Sequence, residues 1–390
     1  MLQRFGFSRP RHDTLVAIGS QLGRTTNPNV TRRPNTAFHS KRSFFTYRVA
    51  ASAAGKSTRL QSIQHGVNVW TQEDVAGEPS YFSSKKPFSG EDAFFMSHIA
   101  RSDRHIVLGV ADGVGGWVDS GVDPSRFAHG LCRYMAEATY RPEKEDDLVP
   151  VNILQKGYDQ VQEDRAISAG GSTATVAALE PDGTMKVANL GDSGFVVLRP
   201  GRVASKSEPQ THAFNTPYQL SKLTRAMEAQ RAIFGNTAIS EKPTAADVTN
   251  HSLRTGDVVV FASDGLWDNL SSMEVLDIVS SIMEKEGLWA AARQLGSETE
   301  EALVNATAIR DVLVEKAERS VTLPGRLAYA VLREAKIASQ DQKRDGPFAR
   351  EVRRHYPRER YHGGKVDDIT VVVCIAVDDK APPPRIKAKL

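Results

Sequence analysis

The chain has 390 residues and a mass of 42.7 kDa, with 40% hydrophobic and 25% charged residues, an ordinary balance for a globular protein. No apolar run approaches the roughly 18 residues that cross a bilayer; the longest uncharged β-type run, Val371–Val377, is far shorter. Two cysteines, Cys132 and Cys374, exclude a disulfide scaffold and a thiolate zinc cluster, and their apolar neighbours mark them as core fillers.

The net charge of +3 is unevenly spread. Residues 1–60 hold eleven Lys or Arg against a single acid, Asp13, whereas the rest of the chain has 39 basic and 46 acidic residues. The body is therefore mildly acidic, which argues against nucleic acid as a partner. In the basic end, Arg4, Arg9, Arg11, Arg24, Arg32, Arg33, Arg42 and Arg48 alternate with hydroxyl residues, and no apolar core of a secretory signal is present. That is the composition of a mitochondrial or plastid transit peptide. Residues 1–60 are expected to be leader, with the mature start at about 40 to 60. Residues 61–378 are expected to form the folded domain and 379–390 a loose tail. Within the leader, Gly55-Lys56-Ser57-Thr58 imitates a phosphate-binding loop, but Ala50 stands where that motif needs its first glycine and no strand is read ahead of it.

Beyond the leader, apolar or alternating runs predict strands over Ala93–Ile99, His105–Ala111, Thr173–Leu179, Thr184–Asn189, Gly194–Leu198, Asp257–Ala262 and Ile369–Val377. Pro181-Asp182-Gly183 and Arg199-Pro200-Gly201-Arg202 read as tight turns. Asp123 with Pro124 marks one helix start, and Ser271 with Glu274 forms a capping box ahead of another. Longer helical stretches are expected over 287–318 and 325–340. The order of elements predicts an α+β fold rather than a strict βαβ repeat.

Carboxylates sit at the strand ends. Glu91-Asp92 precedes one strand and Asp367-Asp368 another; Asp112-Gly113 and Asp264-Gly265 each follow one. In an antiparallel sheet, the end of one strand and the start of its neighbour share a rim, so these acids can converge. As bare anions they would repel one another and some would protonate. An oxygen-only set with no His or Cys nearby suits Mg²⁺ or Mn²⁺ rather than Zn²⁺. Gly113 would let the backbone turn sharply and offer a carbonyl oxygen.

Gly90-Glu91-Asp92-Ala93, Val110-Ala111-Asp112-Gly113-Val114-Gly115-Gly116, Gly171-Ser172-Thr173-Ala174, Asn189-Leu190-Gly191-Asp192-Ser193-Gly194, Ala262-Ser263-Asp264-Gly265-Leu266-Trp267-Asp268 and Asp367-Asp368-Ile369-Thr370-Val371 follow the order of motifs in the type-2C, metal-dependent serine/threonine protein phosphatases. The chain resembles that family over about residues 65–378, and the Arg-rich leader, Asp-Gly-Val-Gly-Gly and the closing Gly-Gly-Lys-Val-Asp-Asp resemble its mitochondrial branch. The resemblance implies a four-layer α-β-β-α sandwich of two antiparallel sheets flanked by helices. It implies two Mg²⁺ or Mn²⁺ ions per active site and a bridging water that attacks phosphorus in line. Asp112 matches the bridging carboxylate; the carbonyl of Gly113, Asp264 and Asp367 match further metal ligands, and Glu91 and Asp92 act directly or through water, with Asp368 the alternative if the register slips by one. Substrates would be mitochondrial phosphoproteins, such as metabolic enzymes of ubiquinone biosynthesis.

Three departures stand out. Val114 replaces a histidine often assigned as leaving-group acid; Pro87 replaces a phosphate-gripping arginine, with Lys85 and Lys86 nearby; and Ser168 falls near an aspartate tied to a third metal in some members. His98, His105 and His362 read as strand or loop histidines rather than acids, Trp117 as a cleft wall or a packing residue, Asp192 as a turn residue, and Gly171–Ala174 as close packing beneath the site. Residues 205–243 correspond to a flap that would tune substrate choice. A catalytically weak phosphoprotein-binding module of the same fold is the competing reading.

Overall fold

The structure, a computed structural model, describes residues 44–62, 69–71, 81–84, 88–99, 102–140, 142–234, 240–290, 303–314 and 322–379. The chain separates into residues 1–41 and 42–390, and all described residues belong to the second unit. Its elements are β1 (Phe45–Ala54), β2 (Val69–Thr71), β3 (Tyr81–Ser83), β4 (Ala93–Ile99), β5 (Ser102–Ala111), α1 (Pro124–Tyr140) and α2 (Pro150–Glu163). There follow β6 (Gly170–Ser172), β7 (Ala174–Leu179), β8 (Thr184–Leu190), β9 (Gly194–Arg199), β10 (Arg202–Lys206), β11 (Thr211–Ala213), β12 (Thr216–Pro217), β13 (Leu220–Lys222) and α3 (Arg225–Phe234). The last third holds β14 (Asp247–Ser252), β15 (Val258–Ala262), α4 (Asp264–Trp267), α5 (Ser272–Lys285), α6 (Ala306–Val314), α7 (Leu323–Gln340), α8 (Pro347–His355) and β16 (Ile369–Asp378).

Two six-stranded sheets run in the orders β10-β9-β15-β16-β1-β2 and β14-β8-β7-β5-β4-β3, with every neighbouring pair antiparallel. Side chains alternate across a strand, and here both faces are covered. Along β16, Val371, Val373 and Ile375 pack with Val275, Leu327 and Val331 of the helices α5 and α7. The intervening Val372, Cys374 and Ala376 pack against Phe94, Leu108 and Val110 of the other sheet. The far face of that second sheet, with Val107, Ala111 and Val176, packs on Phe127, Leu131 and Leu154 of α1 and α2. Three apolar layers between four structural layers give the α-β-β-α sandwich, and continuous apolar strands rather than alternating ones follow from burial on both sides. Both cysteines are buried and unpaired.

The seven strands read from the sequence correspond to β4, β5, β7, β8, β9, β15 and β16. Gly183 and Gly201, at φ +89° and +76°, close the two expected turns, where only glycine adopts a positive φ cheaply. Asp123 Oδ1 accepts from the Ser125 amide at 3.2 Å at the head of α1. At α5, the Glu274 amide donates to Ser271 Oγ at 3.3 Å while the Ser271 amide donates to Glu274 Oε2 at 2.9 Å. The expected helix over 287–318 reduces to α6 among the described residues; 291–302 and 315–320 lie outside them.

The expected domain boundary at residue 60 is corrected. Residues 45–54, assigned to the leader, form β1, which pairs with β16 over ten residues from Phe45↔Asp378 to Ala54↔Ile369 and with β2 on its other edge. Eight of its ten residues are buried. Small residues with one arginine give it no alternating signature, and its Arg48, whose Nε donates to the Leu313 carbonyl at 2.9 Å, blends into the basic end. The remaining leader, 1–43, and the tail from 380 lie outside the described residues.

Removing β1 exposes the edge of β16 and opens two apolar layers at once. A chain beginning at residue 44 is expected to unfold in one cooperative thermal transition followed by circular dichroism, and a chain beginning at residue 61 to show none. A cooperative transition in the shorter chain would exclude β1 from the essential core.

Candidate active site

The sheet registers deliver the acids to one rim. Ala93 at the head of β4 pairs with Ala111 at the end of β5, so Glu91 and Asp92 lie beside Asp112. Ala262 at the end of β15 pairs with Val371 near the head of β16, so Asp264 lies beside Asp367 and Asp368. Polar bonds then join the sheets at this end. Ser263 Oγ donates to Asp92 Oδ2 at 2.6 Å, and the Glu91 amide donates to Asp368 Oδ2 at 2.7 Å. The Lys56 amide donates to Asp368 Oδ1. Asp112 is itself fixed by backbone bonds: its amide donates to Thr173 Oγ1 at 3.1 Å and its carbonyl accepts from the Thr173 amide at 2.9 Å. The Gly171–Ala174 motif thus packs beneath the site and braces Asp112.

The glycines of the two Asp-Gly pairs act through size rather than through a sharp turn, since neither has a positive φ. A Cβ on Gly113 would lie 2.7 Å from the Glu91 carbonyl oxygen, and one on Gly265 would lie 2.0 Å from that of Asp368. Both distances are below carbon–oxygen contact. Glycine lets the end of one strand press against the backbone that starts the next, and this closeness crowds the carboxylates.

Crowding shows in their ionisation. Burial, then the charges of Asp368, Asp367 and Asp264, hold Asp92 well above the usual carboxylate range. Burial and Asp264 do the same to Asp112. Asp367 is pushed up to about 6 by burial and Asp264. Asp264 runs the other way: burial opposes its charge, but the Lys365 ammonium and hydrogen bonds from its neighbours hold it below the ordinary value. Lys365 Nζ lies 2.5 Å from Asp264 Oδ2, 2.7 Å from Asp268 Oδ2 and 3.2 Å from Asp367 Oδ2, and these three charges outweigh burial and raise its pKa.

Of the expected residues, Glu91, Asp92, Asp112, Gly113, Asp264 and Asp367 all come to this rim. Asp368, the alternative to Asp367, is spent on the Lys56 and Glu91 amides. Sequence reading missed four participants. Asp268, one helical turn after Asp264, is pushed up to about 7 by burial and Asp264; its i+4 spacing was the available signal. Lys365, inside the closing Gly-Gly-Lys-Val-Asp-Asp, lies between α8 and β16. Lys56 Nζ lies 2.7 Å from Glu91 Oε2 with its side chain half exposed, so the Gly55–Thr58 loop, preceded after all by strand β1, lines the rim. Lys336 of α7 is wholly buried and donates to the Gly55 and Lys56 carbonyls at 3.0 and 3.1 Å, fixing that loop from below.

Asp192 is more than a turn residue. Its Oδ1 is buried without a partner, and burial with the charges of Asp264 and Asp268 raises its pKa well above the usual value. Trp117 Nε1 donates to Gln219 Oε1 at 3.0 Å, tying the glycine turn to the flap. The flap contributes β11, β12 and β13, and β13 pairs with β6 beside Gly171. Phe214 of the β11–β12 hairpin packs on Phe348 and Tyr356 of the α8 region, with ring centroids 5.7 Å apart in each case. His98 and His105 lie toward the opposite ends of β4 and β5 from the acids, and His362 is exposed in the loop ahead of Lys365. Lys85, Lys86 and Pro87 lie outside the described residues.

Among the described residues, no three His, Cys, Asp or Glu side chains stand in a ready metal-ligating array. The donor set nonetheless fits a hard divalent cation. It is oxygen-only, and Oδ1 of Asp92, Asp192 and Asp264 is buried without a hydrogen-bond partner, which is costly unless a cation or water takes the lone pairs. Lys365 now occupies the middle of the Asp264–Asp268–Asp367 group.

A carboxyl whose folded pKa is raised binds more protons folded than unfolded, so its contribution to stability falls as pH rises from the unfolded to the folded value. For Asp367 and Asp268 that window runs from the ordinary 3.8 to about 6 and about 7. The metal-free protein is expected to have a higher thermal midpoint at pH 5 than at pH 7.5 in scanning calorimetry, and Asp268→Asn to flatten the difference.

The protein phosphatase 2C family profile matches residues 85–303. The protein phosphatase PTC7 homolog fig of Drosophila simulans is 36% identical over 286 residues, covering 73% of this chain and 76% of that protein. The protein phosphatase PTC7 homolog of Homo sapiens is 38% identical over 218 residues, covering 54% of this chain and 67% of its own length. In fold, the chain is similar to the X-ray structure of the photosystem II phosphatase PBCP, with a TM-score of 0.54 and 24% identity over 84% of this chain and 98% of that one. With the sandwich, the strand-end acids and these relatives in agreement, the chain belongs to the protein phosphatase 2C family and is a protein serine/threonine phosphatase.

Proposed function

We propose that this phosphatase hydrolyses phosphoserine and phosphothreonine esters of mitochondrial proteins at a binuclear Mg²⁺ or Mn²⁺ centre on the carboxylate rim. The observation that carries the reading is the buried set of mutually repelling aspartates with unpartnered oxygens. Asp112, Asp264, Asp367 and the Gly113 carbonyl would hold the ions, with Glu91 and Asp92 beside them. When bound, such ions supply positive charge to the phosphoryl oxygens and acidify water. Asp368 positions Glu91 through its amide. Lys56, half exposed at the rim, would meet the ester's phosphate in place of an arginine, as a point charge without the guanidinium fork. Val114 has no proton to give, so the leaving oxygen would take its proton from solvent. The mitochondrial assignment is supported by the arginine-rich residues 1–43 and the family branch; it puts processing before β1.

The test uses residues 44–390 and a phosphothreonine peptide, with phosphate release followed in Mn²⁺, in Mg²⁺ and in EDTA. Release is expected with either metal and not with EDTA. Asp112→Ala and Asp264→Ala are expected to lower kcat on the order of 10³-fold or more while leaving the secondary structure unchanged. Wild-type rates in either variant would remove that residue from the centre. No release by a folded, metal-loaded protein would favour the phosphoprotein-binding reading. Lys56→Met is expected to raise KM about tenfold with little change in kcat.

A further inference from the structure

We propose that Lys365 is a built-in stand-in for a divalent ion: its ammonium holds the Asp264–Asp268–Asp367 carboxylates together in the metal-free protein and gives way when metal binds. The inference rests on the metal-centre reading above and adds to it a residue of this chain that competes with the metal.

The geometry is specific. Lys365 Nζ reaches three separate carboxylates at 2.5, 2.7 and 3.2 Å, and 16% of its side chain is exposed. Its position is fixed from the backbone: the Lys365 amide donates to Asn269 Oδ1 at 3.0 Å, and Asn269 Nδ2 donates back to the Lys365 carbonyl at 2.8 Å. Asn269 is itself fully buried and sits on the turn that carries Asp264 and Asp268. The lysine therefore does not fall into the cluster by chance of a long side chain; its main chain is bolted to the ligand-bearing segment. The Phe348 ring lies 5.7 Å from the ammonium and covers it.

Three carboxylates at this separation need a cation, because uncompensated buried charges are strongly destabilising. Two of the three, Asp264 and Asp367, are proposed metal ligands. An ammonium satisfies them with one charge and three directional donors, whereas a divalent ion brings two charges at shorter range. A divalent ion taking the unpartnered Asp264 Oδ1 would stand beside the ammonium on Oδ2, and repulsion between the two cations would drive Lys365 away from Asp264 and Asp367. Asp268 remains to receive the ammonium when it moves.

The experiment measures Mn²⁺ binding by titration calorimetry and thermal midpoint by scanning fluorimetry on the full chain, on its Lys365→Met variant and on its Lys365→Arg variant. Loss of the competing charge should tighten Mn²⁺ at least tenfold in Lys365→Met, lower its metal-free midpoint, and enlarge its midpoint rise on adding Mn²⁺. Lys365→Arg keeps the cation and should bind Mn²⁺ no more tightly than wild type. If Lys365→Met does not fold without metal, refolding it in a Mn²⁺ series should recover the wild-type circular dichroism. Unchanged or weaker Mn²⁺ binding in Lys365→Met, equal tightening in Lys365→Arg, or failure to fold even in saturating Mn²⁺ would each overturn the displacement. Failure of the wild type to bind Mn²⁺ would sink the metal-centre reading itself, a result distinguishable from all of these.

Discussion

Asp92, Asp112, Asp264, Asp367 and Asp368 repel one another, and the sandwich holds them at one rim all the same. Two cross-strand pairings, β4 with β5 and β15 with β16, bring their ends level. Two glycines remove the bulk that would keep the backbones apart. The apolar layers on either side supply the burial that makes the repulsion costly, and also the stability that makes it tolerable: the same packing that raises the pKa of Asp112 holds β5 in place.

Cations from three distant parts of the chain answer this excess. Lys365 comes from the loop ahead of β16, Lys56 from the loop after β1, and Lys336 from the last third of α7. They do different work. Lys336 donates to two backbone carbonyls; burial lowers its pKa, against the pull of Asp368 and Asp367. It secures the loop whose Lys56 amide secures Asp368, which in turn secures the Glu91 amide. A fault at α7 therefore reaches the rim through three hydrogen-bonded steps, although α7 itself contributes no acid.

What could be read from the sequence was what repeats locally. Strands such as Val258–Ala262 announce themselves by β-branched runs, capping by Ser271 and Glu274, and the acids by their place at strand ends. The order of the motifs then carried the family. What could not be read was long-range. Asp92 finds Ser263 across the two sheets, and Lys336 reaches a loop some 280 residues earlier, with no local pattern to signal either. Strand β1 was hidden for another reason: Arg48 and a run of small residues suit a targeting leader and a buried strand equally, and only its pairing with β16 decides between them. Gly113 is ambiguous in the same way, because a glycine needed for close approach looks the same in sequence as one needed for a turn.

The pairing of β1 with β16 has a consequence for how the protein is made. Thr46 and Asp379, which share a hydrogen bond, are 333 residues apart, so β1, the first of the described strands, waits for β16, the last of them, to leave the ribosome. Until then β1 has only the three-residue β2 to pair with, and it stays separate from the rest of its sheet. Contacts of such sequence separation form late and slowly. A chain halted within β16 would retain every rim aspartate yet lack the strand that joins β1 to β15, leaving their edges unpaired.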